Sequence, residues 1–140
     1  MRDLCSFDYA IIRVVPRVER GEFLNSGVIL FCSTRAYLEA RVELDTERLK
    51  ALDPAVDPGL VASHLEVIPR VCEGGAEAGP IGRLSQRERF HWLVAPRSTM
   101  IQTSPVHSGV HEDLDAALGQ LMDKLVRRRD SPADSPLRGR

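Results

Sequence analysis

Along the first 45 residues, apolar side chains come in short β-branched runs; beyond them they recur at three- and four-residue spacing. Residues 7–15 are rich in Ile, Val and Tyr and run into Pro16, which removes a ladder donor. They predict a buried strand that ends there. Residues 17–25 are polar around Gly21, and Asn25-Ser26-Gly27 reads as a turn before the next run. Residues 28–32 are continuously apolar, which predicts a strand covered on both faces. After a short turn at residues 33–36, Tyr37, Leu38, Ala40, Val42 and Leu44 continue as a third strand. Glu39, Arg41 and Glu43 alternate with them, so the far end has one wet face and the three strands form an antiparallel meander.

Helical signals follow. Asp45 caps a short helix bearing Leu49 and Leu52, stopped at Asp53-Pro54. Asp57-Pro58 repeats the cap, with proline in the first turn. Leu60, Val61, His64, Leu65 and Ile68 share one helical face, which Pro69 should end or kink near residues 67–68. Four glycines and Pro80 make residues 73–82 a flexible loop. Ser85-Gln86-Arg87-Glu88 is a capping box opening a helix through Phe90 and Leu93, and residues 101–103 predict a fourth strand. Over residues 113–129, Leu114, Ala117, Leu118, Leu121, Met122 and Leu125 form one apolar stripe. Acids stand in its first turn and arginines at its end, as the helix dipole favours. Strands first and helices after predict an α+β domain, an antiparallel sheet of about four strands with helices packed mainly on one face.

Composition refines the boundaries. The 140 residues suit one domain, and 43% apolar side chains are enough for a core. A net charge of −1 argues against a general nucleic-acid binder. That balance hides an asymmetry, because residues 127–140 hold five arginines against Asp130 and Asp134. So little apolar surface there predicts a domain over residues 1–126 and a basic, disordered tail over 127–140. No apolar run approaches the roughly 20 residues that span a bilayer. Met1-Arg2-Asp3-Leu4 does not open an export signal, so a cytoplasmic protein is expected. Cys5, Cys32 and Cys72 are too few and scattered for a disulfide framework or a zinc site, and Cys32 reads as a core thiol.

The densest polar chemistry lies at residues 95–109. Arg97, Ser98, Thr99, Gln102, Ser104 and His107 could hold a phosphate or another anion, or simply serve a chain that turns twice around one short strand. Arg13 joins these candidates because it interrupts an apolar strand, where a guanidinium must snorkel, pair, or share an anion with Arg97. His107 and His111 stand four apart, but no third ligand is near and no metal or cofactor is expected. Ser98, Ser104 or Cys32 could meet His107 or His91, yet no Gly-x-Ser-x-Gly elbow is present, so catalysis is not favoured. Trp92 beside Arg87, Arg89 and Arg97 is read as a core or interface anchor rather than a base-stacking platform.

Two blocks carry a resemblance. One is Tyr9-Ala10-Ile11-Ile12-Arg13-Val14-Val15-Pro16, continuing through Arg20-Gly21-Glu22-Phe23-Leu24-Asn25 and Gly27-Val28-Ile29-Leu30. The other is Arg89-Phe90-His91-Trp92, then Ala95-Pro96-Arg97-Ser98-Thr99 and Gln102-Thr103-Ser104-Pro105-Val106-His107. Over residues 7–126 the chain resembles a bacterial family, domain of unknown function 3037. Its members are often encoded beside a kinase-fold protein similar to the HipA toxins, so the resemblance implies a partner and carries over no catalytic residue. The expected function is a non-catalytic adaptor binding that partner or a phosphate-bearing ligand. The other class is a small enzyme acting on a phosphorylated or nucleotide substrate.

The composition break sets a first prediction. Deleting residues 130–140 should leave the thermal midpoint within about one degree, because an exposed tail buries little. A clearly lower midpoint in differential scanning calorimetry would mean that the tail docks.

Overall fold

The computed structural model describes residues 3–127, so the expected tail from residue 128 onward lies outside the described residues. β1 (Cys5–Val14), β2 (Leu24–Cys32) and β3 (Tyr37–Val42) form the antiparallel meander. The far edge of β1 is occupied twice, by β4 (Ile101–Thr103) beside its C-terminal half and β5 (His107–His111) beside its N-terminal half. The chain is α+β as expected, with β5 added to the anticipated strands.

Alternation along β1 and β2 divides the core between two faces. Ile12, Val14, Ile29, Phe31 and Leu38 pack against α1 (Thr46–Leu52), α2 (Pro58–Glu73) and α3 (Gln86–Val94), through residues such as Leu49, Leu65 and Phe90. Cys5, Phe7, Val28, Leu30 and Cys32 pack against Leu114 and Leu118 of α4 (Leu114–Leu121). The sheet therefore lies between α1–α3 on one face and α4 on the other. Continuous burial of residues 28–32 follows directly. No described helix is long and apolar enough to cross a membrane.

The caps form as their chemistry requires. The carboxylates of Asp45, Asp57 and Asp113 accept from first-turn amides of α1, α2 and α4. Ser85 and Glu88 complete their reciprocal box at α3. The 113–129 stripe is helical to Leu121, then widens into i→i+5 bonding over Met122–Val126. Arg127 closes it, its guanidinium on Asp123 and Glu43.

Four expectations change, one of them in the loop expected over residues 73–82, where two short 3₁₀ turns form. Asn25-Ser26-Gly27 is not a turn but part of β2, because one extra residue is absorbed as a β-bulge where Ile12 faces Gly27 and Arg13 faces Asn25. The third strand ends at Val42, and the backbone then bonds through Glu43 N–H to Ser26 C=O. Pro69 does not end α2, which runs on to Glu73. Proline forfeits one backbone bond, but the turn beyond it buries Val71 and Cys72 and is held from outside.

That hold is Arg89, only 8% exposed. Its Nη2 donates to Cys72 O at 3.2 Å and its Nη1 to Leu84 O at 2.5 Å. A cation at the carbonyl end of α2 meets the negative end of the helix dipole. Gly74 leaves room for it, since a Cβ there would stand 3.0 Å from Arg89 Cζ.

The bulge generates a prediction. A Cβ at Gly27 would lie 2.5 Å from Arg41 O and 2.9 Å from Ile12 Cδ1. Gly27→Ala should cost about 2–3 kcal/mol in urea unfolding by forcing β3 off β2. A neutral substitution would show that residues 25–27 are a loose turn after all.

Candidate functional site

α3 ends because Ala95 turns extended and Pro96 follows, leaving the carbonyls of its last turn without helical donors. Arg97 turns back to supply them. Its Nη1 donates to Leu93 O at 2.8 Å and its Nη2 to Trp92 O at 2.6 Å. The same guanidinium stands 4.7 Å from the Trp92 ring centroid, a cation–π contact that fixes the indole. Trp92 remains 40% exposed.

Beside this pair runs a groove of about 400 Å³ between α2, α3 and β4. His64 and Val67 line it from α2, Trp92 from α3, and Arg97, Thr99 and Gln102 from the following segment. Its floor is apolar, formed by Ile68, Leu93, Met100 and Ile101 of the core beneath. The ionisable side chains lining it are His64 and Arg97, and no carboxylate lines it among the described residues. Thr99 and Gln102 brace the wall, Thr99 Oγ1 donating to Ile101 O and Gln102 Nε2 to Thr99 O.

Of the candidates, Arg97, Thr99 and Gln102 meet on this groove; the others stand elsewhere. Ser98 is exposed on the same loop, outside the lining. Arg13 follows the strand alternation onto the α4 side, with its Cζ 4.2 Å from the Phe23 ring centroid. Its Nε is buried without a hydrogen-bond partner among the described residues. The two guanidiniums are thus engaged separately, each on its own ring.

Ser104 and His107 belong to the β1 edge. Pro105 has no N–H, so the ladder breaks between β4 and β5. Ser104 mends it, its N–H donating to Ile11 O at 2.9 Å and its Oγ accepting Ile11 N–H at 2.8 Å. His107 packs on Tyr9 with ring centroids 5.4 Å apart. His111 Nδ1 accepts the Asp113 N–H at the entry to α4.

Residues 4–8 and 108–110 border a second, more polar groove of about 770 Å³ at the other end of α3. There Ser108 Oγ donates to Asp8 Oδ1 at 2.9 Å, and Arg87 Cζ lies 5.4 Å from the Phe31 ring centroid. Asp8 and Ser108 were invisible as a pair without the β5 pairing, 100 residues apart in the chain. Val67 was legible only as an outward position on an amphipathic helix.

The family model described as "Protein of unknown function (DUF3037)" matches residues 9–126, which contain the whole Trp92 groove. No curated protein and no solved structure matches the chain.

Ser104 distinguishes edge repair from ligand binding. Ser104→Ala leaves the Ile11 N–H without its acceptor, so unfolding free energy should fall by about 1–3 kcal/mol. An unchanged stability would free Ser104 for a ligand role.

Proposed function

The chain belongs to the family of proteins of unknown function DUF3037, and we propose that it is a non-catalytic adaptor domain that receives an apolar side chain of a protein partner beside Trp92. A neighbouring carboxylate or phosphate of the partner meets the cationic rim. The observation that carries this reading is an exposed tryptophan, held in place by Arg97, on an apolar groove whose ionisable lining is His64 and Arg97. Fixed, half-exposed aromatic side chains beside apolar pockets are where interface energy concentrates.

The two hydrogen bonds to Trp92 O and Leu93 O use two of the five guanidinium N–H groups of Arg97. The rest can take an anion at the rim without releasing the helix end. Thr99 and Gln102 add polar atoms on the same side. The partner proposed is the kinase-fold protein, similar to the HipA toxins, that the family resemblance suggests. An enzymatic reading on a phosphorylated substrate draws less support, because Ser104 and His107 are engaged with Ile11 and Tyr9 rather than with each other.

Trp92 is the sole tryptophan of the chain, so it reports on its own groove. Titration with the purified HipA-like kinase-fold protein of the same genome should shift its fluorescence to shorter wavelength and saturate. Val67→Glu places a carboxylate on an exposed helix position in the groove and should weaken binding at least about tenfold with an unchanged melt. Absence of a complex, or equal binding by Val67→Glu and Trp92→Ala, would overturn the reading.

A further inference from the structure

Two of the three cysteines share one place in the fold. Cys5 is the first residue of β1 and Cys32 the last of β2. Both belong to the cluster on the α4 face, with Cys5 8% and Cys32 1% exposed. The paired register ends with Asp8 opposite Phe31, and extending it by one step would set Phe7 opposite Cys32. Cys5 is then the diagonal neighbour of Cys32 on the same face, and the two side chains are close enough to interact directly. Diagonal neighbours stand roughly 7–8 Å apart at Cα, with Cβ atoms closer. A disulfide spans up to roughly 7 Å, so the strand ends need only a small approach.

The surroundings suit thiol chemistry. Cys5 Sγ lies 3.1 Å from His111 O, and Cys32 Sγ lies 3.2 Å from Thr34 Oγ1. Burial works to raise the Cys32 thiol, but the Thr34 hydroxyl, the Arg35 amide and Cys5 together bring it below the ordinary value. Burial raises Cys5, against the pull of the Arg35 guanidinium. That guanidinium is tethered nearby, on Glu112 O and Asp3 O. Cys5 and Thr34 both line the polar groove of about 770 Å³, and Cys32 lies directly behind this lining, in contact with Thr34. Cys72 is different in each respect. It lies in α2 with the core of the other face, and burial pushes its thiol up to about 12.

We propose that Cys5 and Cys32 are an oxidisable dithiol that closes to an intrachain disulfide, with hydrogen peroxide as the oxidant. The Cys32 thiolate attacks one peroxide oxygen, the O–O bond breaks, and the departing oxygen leaves as water after taking a proton. The resulting sulfenic acid is attacked by the Cys5 sulfur; the S–O bond breaks and its oxygen leaves as water with the Cys5 proton. Two thiols are oxidised and one peroxide is reduced to two waters. The product staples the start of β1 to the end of β2, along one wall of the polar groove.

The test uses the full chain, reduced and then treated with hydrogen peroxide, trapped by alkylation in denaturant. The number of free thiols should fall from three to one, with the mass of two hydrogens lost and Cys5 linked to Cys32 in the peptide map. Cys72→Ser should still lose both remaining thiols, while Cys5→Ser and Cys32→Ser should form no intrachain link. Three surviving thiols, a link to Cys72, a link between chains, or over-oxidised Cys32 without a bridge would each overturn the proposal.

Discussion

One strand must satisfy three strand partners and two packed faces at once. β1 is ten residues long, pairs with β2 along one edge and with β4 and β5 along the other, and buries side chains on both faces. An unpaired amide in so covered a strand costs more than most single contacts return. The segment available for its far edge contains Pro105, which cannot donate. The Ser104 hydroxyl takes the Ile11 N–H at that break, and the bulge at Ser26 corrects the register on the opposite edge. Arg13 also follows from this constraint, since its position in the ladder leaves the guanidinium on Phe23, away from Arg97.

Arg89 plays the equivalent part among the helices. It brings a charge into the core with no carboxylate bonded to it among the described residues, and two carbonyl oxygens answer it, one of them in the last turn of α2. Carbonyls at a helix end already carry excess negative charge, so the usual penalty for a buried cation is reduced. The contact also ties the glycine-rich segment after α2 to the first turn of α3. Two short 3₁₀ turns, Ala76–Ala78 and Pro80–Arg83, form there in place of the loop expected from its glycines. Pro69 survives inside α2 for the same reason, because the turn it weakens is held from α3.

α3 thereby becomes a fixed divider between two surfaces of different chemistry. Phe90 and Leu93 anchor it in the core. Its first turn carries Arg87 over Phe31 beside a polar groove, and its last turn carries Trp92 under Arg97 beside an apolar one. Placing a tryptophan at a helix end, where Arg97 must already satisfy carbonyls, makes one side chain serve stability and recognition together.

Local chemistry was readable residue by residue. Asp45, Asp57, and Ser85 with Glu88 each determined a helix start, because a cap needs only neighbours three residues away. The apolar runs and stripes likewise determined the meander, the α4 stripe and the α+β class, since periodicity is a property of the chain itself. Arg97, Thr99 and Gln102 were legible as a polar group, and the groove they border was not. It exists only because α2 lies alongside, bringing His64 and Val67 from some thirty residues earlier. The bulge at Ser26, the persistence of α2 past Pro69, and β5 were decided by tertiary contacts. In each, a local preference for a turn, a stop or a loop was outweighed by backbone bonds or burial supplied by a distant segment, and no local pattern encodes a distant partner.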